Sequence, residues 1–113
     1  MKYEATLFMA QVEIEKELAS NDSTRISIAL YSATRHNENW KWVQDKCLEL
    51  MHSPYDQVRV ACVTCLGDLV FFFKRPIETD RVLEALMQAA LDPKLKDAAE
   101  FSISLINQSS RPQ

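Results

Sequence analysis

The sequence has almost no glycine: one, Gly67, in 113 residues. Loops that cradle phosphate need several glycines, so that the backbone can approach the ligand at φ values other residues avoid. Walker-type and dinucleotide-binding sites are therefore excluded. Histidine is also scarce, with only His36 and His52. Each falls near the end of an expected helix, where the dipole favours a protonated ring. No serine or cysteine stands in a recognisable arrangement with a histidine and a carboxylate, and the glutamates scatter over helical faces. This set does not organise acid–base or nucleophilic chemistry. The chain reads as a non-enzyme without a cofactor.

Long apolar runs are missing as well. The longest, Leu69 to Phe73, is five residues, whereas a bilayer span takes about 20 and a secretory core about 7 to 15. The opening "MKYEATLF" places Glu4 where a leader would turn apolar, so the expectation is a cytoplasmic protein with no membrane contact. There is no basic excess: 13 Lys and Arg against 16 Asp and Glu leave a net charge of −3. Direct nucleic-acid binding, which needs clustered cations, is not expected. Three cysteines cannot all pair internally, and cytosolic thiols stay reduced, so a disulfide framework is not expected either.

What is present is helical periodicity in one soluble domain, with 47% hydrophobic and 26% charged residues. A first helix is predicted over residues 3–19, with Leu7, Ala10, Ile14 and Leu18 on one face. "SNDS" at 20–23 then offers an N-cap to a second, 23–36, aligned on Ile26, Ala29, Leu30 and Ala33. After "NEN" at 37–39, a third covers 40–52. Pro54 breaks the pattern, and a fourth helix runs over 56–73. A polar loop leads to a fifth, 80–91, with Val82, Leu83 and Leu86. Asp92 as cap and Pro93 at the first position start the sixth, 93–107. The prediction is a single all-α domain over 1–108, made of hairpins at about 3–36, 40–73 and 80–107. Residues 109–113 form a polar tail.

The hairpins look related. "DSTRISIALYSA" at 22–33 lies over "DQVRVACVTCLG" at 56–67 with a shift of 34, and "KLKDAAEFSIS" at 94–104 lies over 57–67 plus 37. The middle unit, "VQDKCLELMHSPYDQVRVACVTCLGDLV", resembles a HEAT repeat: a helix ending Leu-x-Leu-Met, a Pro turn, then Asp-Gln-Val-Arg, one residue shorter than the family's Asp-x-x-Val-Arg, and a Leu-Gly-x-Leu. A tetratricopeptide alternative fits a period of 34 but lacks its Trp…Leu-Gly…Tyr series. The HEAT resemblance implies a right-handed α-solenoid of three stacked hairpins. It also implies an inter-repeat ladder of Asp22, Arg25, Asp56 and Arg59, with Lys96 as partial substitute. The second helices would line the concave side, offering Ser32, Arg35, Thr64, Asp68, Phe71, Phe101, Ser104 and Gln108 to a partner. Trp40 and Trp42 cannot both enter the core from one turn, so one of them, Trp40 in this reading, is a further anchor candidate.

Cys62 and Cys65 form a C-x-x-C. A redox pair needs its cysteines at a helix N-terminus after a strand, where the dipole lowers the thiol pKa. Here they sit mid-helix beside Ala61 and Leu66, and read as small core fillers, with Gly67 allowing a neighbouring helix close. Zinc is the other possibility, from Cys47, His52, Cys62 and Cys65. Cys47 and His52, five apart on a helix, point different ways, and no metal is expected. In size, charge and helical class the chain resembles, in general plan, bacterial immunity proteins of contact-dependent inhibition systems. That resemblance implies a non-catalytic antitoxin whose partner is a cationic toxin domain, such as a basic nuclease. The alternatives are an adaptor subunit of a larger complex, or a zinc-binding or enzyme-associated domain built on those four residues.

Overall fold

The computed structural model describes residues 8–109. Six helices follow one another: α1 Gln11–Leu18, α2 Ser23–His36, α3 Trp40–Leu50, α4 Asp56–Phe71, α5 Thr79–Ala89 and α6 Lys96–Ser109. All regular structure among the described residues is helical, as predicted. The boundaries follow local chemistry. Asp22 Oδ1 accepts hydrogen bonds from the Thr24 and Arg25 N–H groups at 2.9 and 3.1 Å, and Asn39 Oδ1 accepts from Trp42 N–H at 3.2 Å. These side chains satisfy donors that the first helical turn leaves open.

Several boundaries differ from the periodicity: α4 and α5 each end two residues early, α5 starts one residue sooner, and α6 runs on to Ser109, the first residue of the expected tail. Residues 8–10 are not helical, so α1 starts at Gln11, and residues 3–7 of the predicted helix lie outside the described residues. Helix α3 stops at Leu50 because its last turn tightens, with the His52 and Ser53 N–H groups reaching back only three residues to the Glu49 and Leu50 carbonyls. Helix α6 starts three residues later than Pro93. Asp92 does cap, but caps a turn: its Oδ1 accepts from Lys94 N–H at 2.9 Å and its carbonyl from Leu95 N–H at 2.9 Å.

Helix α4 is the centre. It packs between α2 and α6, while α1, α3 and α5 each lie chiefly on the second helix of their own hairpin. Val58, Cys62, Val63, Cys65, Leu66 and Leu69 of α4 are fully buried. Burial on several sides explains why this helix is apolar almost all round. Gly67 sits at the α4–α6 crossing. A Cβ added there would lie 2.6 Å from Ser102 Oγ and 2.9 Å from Ser102 Cα. Ser102 in turn donates its hydroxyl hydrogen bond to the Val63 carbonyl at 2.8 Å. Two minimal side chains thus let two backbones meet.

Equivalent positions one repeat apart are neighbours in space. Ser23 Oγ donates to Gln57 Oε1 at 3.0 Å, and Tyr55 Oη to the Asn21 carbonyl at 3.2 Å. Gln44, fully buried, donates to Glu78 Oε1 and accepts from Glu78 N–H, both at 2.7 Å. Each of these pairs is 34 residues apart, the shift at which the first two repeats align.

The expected Asp–Arg ladder is paired otherwise. Asp22 is spent on its own helix. Arg25 meets Glu17 of the same hairpin at 2.5 Å, and its hydrogen bond holds the Glu17 carboxyl below the usual range. Arg59 pairs with Asp56 three residues back and donates to the Ser53 carbonyl at 2.7 Å. Asp56 does reach the next hairpin, but through Lys94 at 3.1 Å and not through Lys96, because the turn at 92–95 brings Lys94 forward. Between α3 and the start of α5 the ion pairs are Lys41–Glu78 at 3.0 Å and Arg81–Asp45 at 2.8 Å.

Candidate functional site

The second helices α2, α4 and α6 form one layer, and each turns a row of side chains away from the core. On α2 the row is Thr24, Ile28, Tyr31 and Arg35, spaced so that successive members share a helical face. Ile28 is 54% exposed, an apolar group on the polar side. On α4 the row is Gln57, Val60, Thr64 and Phe71, and all but Gln57 are half-buried. On α6, Phe101 is 66% exposed and Ser104 and Gln108 are exposed beside it. Phe71 packs edge-to-face on Phe72 at 5.1 Å, with Lys74 Nζ 5.4 Å from its ring. Arg35, Phe71 and Gln108 all stand in the C-terminal parts of their helices. The layer therefore presents aromatic side chains among hydrogen-bonding groups, a composition suited to protein recognition.

Two expected surface residues are in the interior. Ser32 is fully buried and Asp68 is 2% exposed. Ser32 lies beside the outward row of α2, whereas Asp68 falls within that of α4, four residues after Thr64 and three before Phe71. Tyr31 lies near Asp68. Its phenol is pushed up to about 12, first by burial and then by Cys65 and Asp68. Trp40 and Trp42 are both half-buried, and Trp42 carries Lys46 Nζ 5.9 Å from its ring. Periodicity arguments passed over Ile28, Tyr31 and Val60. The signal for Ile28 was present, since it stands opposite the Ile26–Ala29–Ala33 core row.

The three cysteines are free and fully buried. A hydrogen bond with Cys65, together with burial, raises the Cys47 thiol well above its usual range, and burial raises Cys62. Thiolate, the reactive form, is suppressed in both. His52 is exposed and takes no part in this cluster. Among the described residues no three His, Cys, Asp or Glu side chains converge as metal ligands. The C-x-x-C is thus packing. Native protein treated with an aromatic disulfide reagent is expected to release thiolate only at the rate of unfolding, with all three cysteines reacting at once in denaturant. A fast single-cysteine phase in native buffer would refute this.

No protein-family model matches the sequence, and no curated protein matches it. Among solved structures, the fold is similar to a chain of the CDI complex from Cupriavidus taiwanensis LMG 19424. The TM-score is 0.86 at 21% sequence identity, covering 98% of this chain and 99% of that one. The two chains therefore share one fold over nearly their whole lengths.

Proposed function

We propose that this protein is an immunity protein of a contact-dependent inhibition (CDI) pair, a non-catalytic binder that occupies and silences a toxin domain. The observation that carries this reading is the full-length fold likeness to a chain of a CDI complex. The chain matches a subunit of its own size, and that subunit was crystallised as part of a complex. The in-register contacts between hairpins support reading the stack as a HEAT-like solenoid, and no helix among the described residues is long and apolar enough to cross a membrane. Its place of action in this reading is the bacterial cytoplasm. The net charge of −3 favours a cationic toxin such as a basic nuclease, because opposite charge speeds encounter. Docking is assigned to the layer of second helices, through Phe101, Phe71 and Arg35 with Thr64, Ser104 and Gln108 around them; Trp40 of α3 is kept as an accessory anchor.

The test is protection. Cells expressing the toxin domain encoded beside this gene should survive when this chain is co-expressed, and the two purified proteins should bind. Phe101→Asp should weaken that binding by about 30-fold, as loss of an interface anchor does, without moving the melting temperature. Failure of the chain to protect against its neighbour's product, or co-purification with one housekeeping complex instead, would overturn the proposal. Stoichiometric zinc in the purified protein would favour the metal-binding alternative.

A further inference from the structure

The first helices carry a feature that the second-helix layer does not use. Between α3 and α5 lies a groove of about 440 Å³. Its floor is apolar, from Leu48, Met51, Ala85, Ala89 and Leu95, and Arg59, Arg81, Glu84 and Asp92 stand among its walls. The charges are not equivalent. Arg81 is held by Asp45 at 2.8 Å and by Glu78 at 3.0 Å. Arg59 is held by Asp56 and by the Ser53 carbonyl. Both cations thus have carboxylate partners within the chain, partners that Lys94 and Lys41 share. Glu84 and Asp92 have no basic side chain paired to them among the described residues, and Asp92 spends only Oδ1, on Lys94 N–H. Above the apolar floor, with His52 at the rim, the two carboxylates without a basic partner are therefore Glu84 and Asp92.

The flank of the groove points the same way. Helix α5 buries Val82 and Leu86, yet also carries Met87 at 61% and Leu91 at 77% exposure. These two are four apart and continue the line from Glu84, so an apolar strip runs beside that carboxylate. Large exposed apolar groups next to a depression mark a binding surface more often than chance exposure does. Methionine suits such an edge because its flexible thioether adapts to the side chain that lands on it.

We infer that this groove seats an anchor from the partner protein: a long apolar side chain with a lysine or arginine beside it. The apolar group fills the floor over Ala85 and Ala89, and the cation meets Glu84 and Asp92. An acidic segment is disfavoured, because both arginines already have carboxylates and the remaining charge is negative. The inference rests on the immunity reading for who the partner is, and adds a second contact area on the first-helix side, separate from Phe101.

The experiment measures binding of a catalytically inactive form of the toxin domain encoded beside this gene, by titration calorimetry at two salt concentrations. Glu84→Lys should weaken binding about tenfold and flatten the salt dependence. Ala85→Trp, which fills the groove, should weaken it by at least as much with little change in salt dependence. Both variants should melt within a few degrees of the parent, since neither position is in the core. Full affinity in both variants overturns the groove assignment while leaving the immunity reading intact. Tighter binding by Glu84→Lys overturns it in favour of an acidic anchor, and self-association that Ala85→Trp abolishes overturns it in favour of a second copy. A wild-type chain that neither binds nor protects removes the functional reading, and this inference falls with it.

Discussion

Gly67→Val is expected to lower the thermal midpoint by on the order of 10 °C. The added Cβ alone would come within 2.6 Å of Ser102 Oγ, 2.8 Å of Ser102 Cβ and 2.9 Å of Ser102 Cα. A hydroxyl can rotate away, but the Cα cannot. Helix α6 must therefore move off α4, opening the interface that Ala99, Ser102 and Ile106 help to fill. Overpacking of this kind costs about 1 to 3 kcal/mol. Against it stands a gain of only a few tenths to about 1 kcal/mol from replacing glycine within a helix. The steric term wins. Ser102→Gly in the Gly67→Ala background should recover part of the loss, because two of the three close atoms disappear. Recovery stays partial, since the hydrogen bond to the Val63 carbonyl goes with the hydroxyl. A Gly67→Ala protein as stable as the parent would show that the helices do not meet here.

Leu66→Ala is expected to cost about 3 kcal/mol or more, as full burial of the deleted atoms leaves a cavity that rigid neighbours cannot close. Leu66 is fully buried in the helix that contacts the other five or their partners. Total stability for a domain of this size is about 5 to 15 kcal/mol, so one truncation removes a large share. The same truncation at Leu91, 77% exposed, should change stability by less than about 0.5 kcal/mol. Urea unfolding decides this: the Leu66→Ala midpoint should fall with an unchanged slope and a single transition. Because α4 joins all three hairpins, the loss spreads through the stack. A variant that frays only the middle hairpin, or one that loses less than about 1 kcal/mol, would contradict the central placement of α4.

The sequence read most clearly where the deciding forces act within one helix or one turn. Six helices were visible because apolar side chains recur with the helical period, and because Asp22 sits where a helix needs an acceptor. The inward orientation of Cys62 and Cys65 followed from the same arithmetic, since their neighbours on that face are apolar. Even the closeness allowed by Gly67 could be anticipated. The residue it admits, Ser102, could not, because nothing local relates positions 35 apart in the chain.

Readings that failed were those in which a side chain had to choose among partners. Asp56 and Arg59 satisfy each other within one turn of α4, a short-range pairing that a ladder pattern drawn from repeats passes over. Asp92, expected to cap α6, closes a turn ahead of it instead, because the same hydrogen-bonding chemistry serves either. The candidate surface divides along the same line. Phe101, Ser104, Gln108 and Arg35 are exposed as the helical wheel suggested, whereas Ser32 and Asp68 are covered.

By itself the amino-acid sequence determined the helices, the cap at Asp22, the apolar face of each and the absence of phosphate-cradling loops, because these depend on residues within a few positions of one another. The tertiary structure alone decided which sides of α2 and α4 a neighbour covers, and that Arg59 and Arg81 find carboxylates while Glu84 and Asp92 have no basic partner among the described residues. Burial and charge pairing are properties of neighbours distant in the chain, and only the packed stack of hairpins brings those neighbours together.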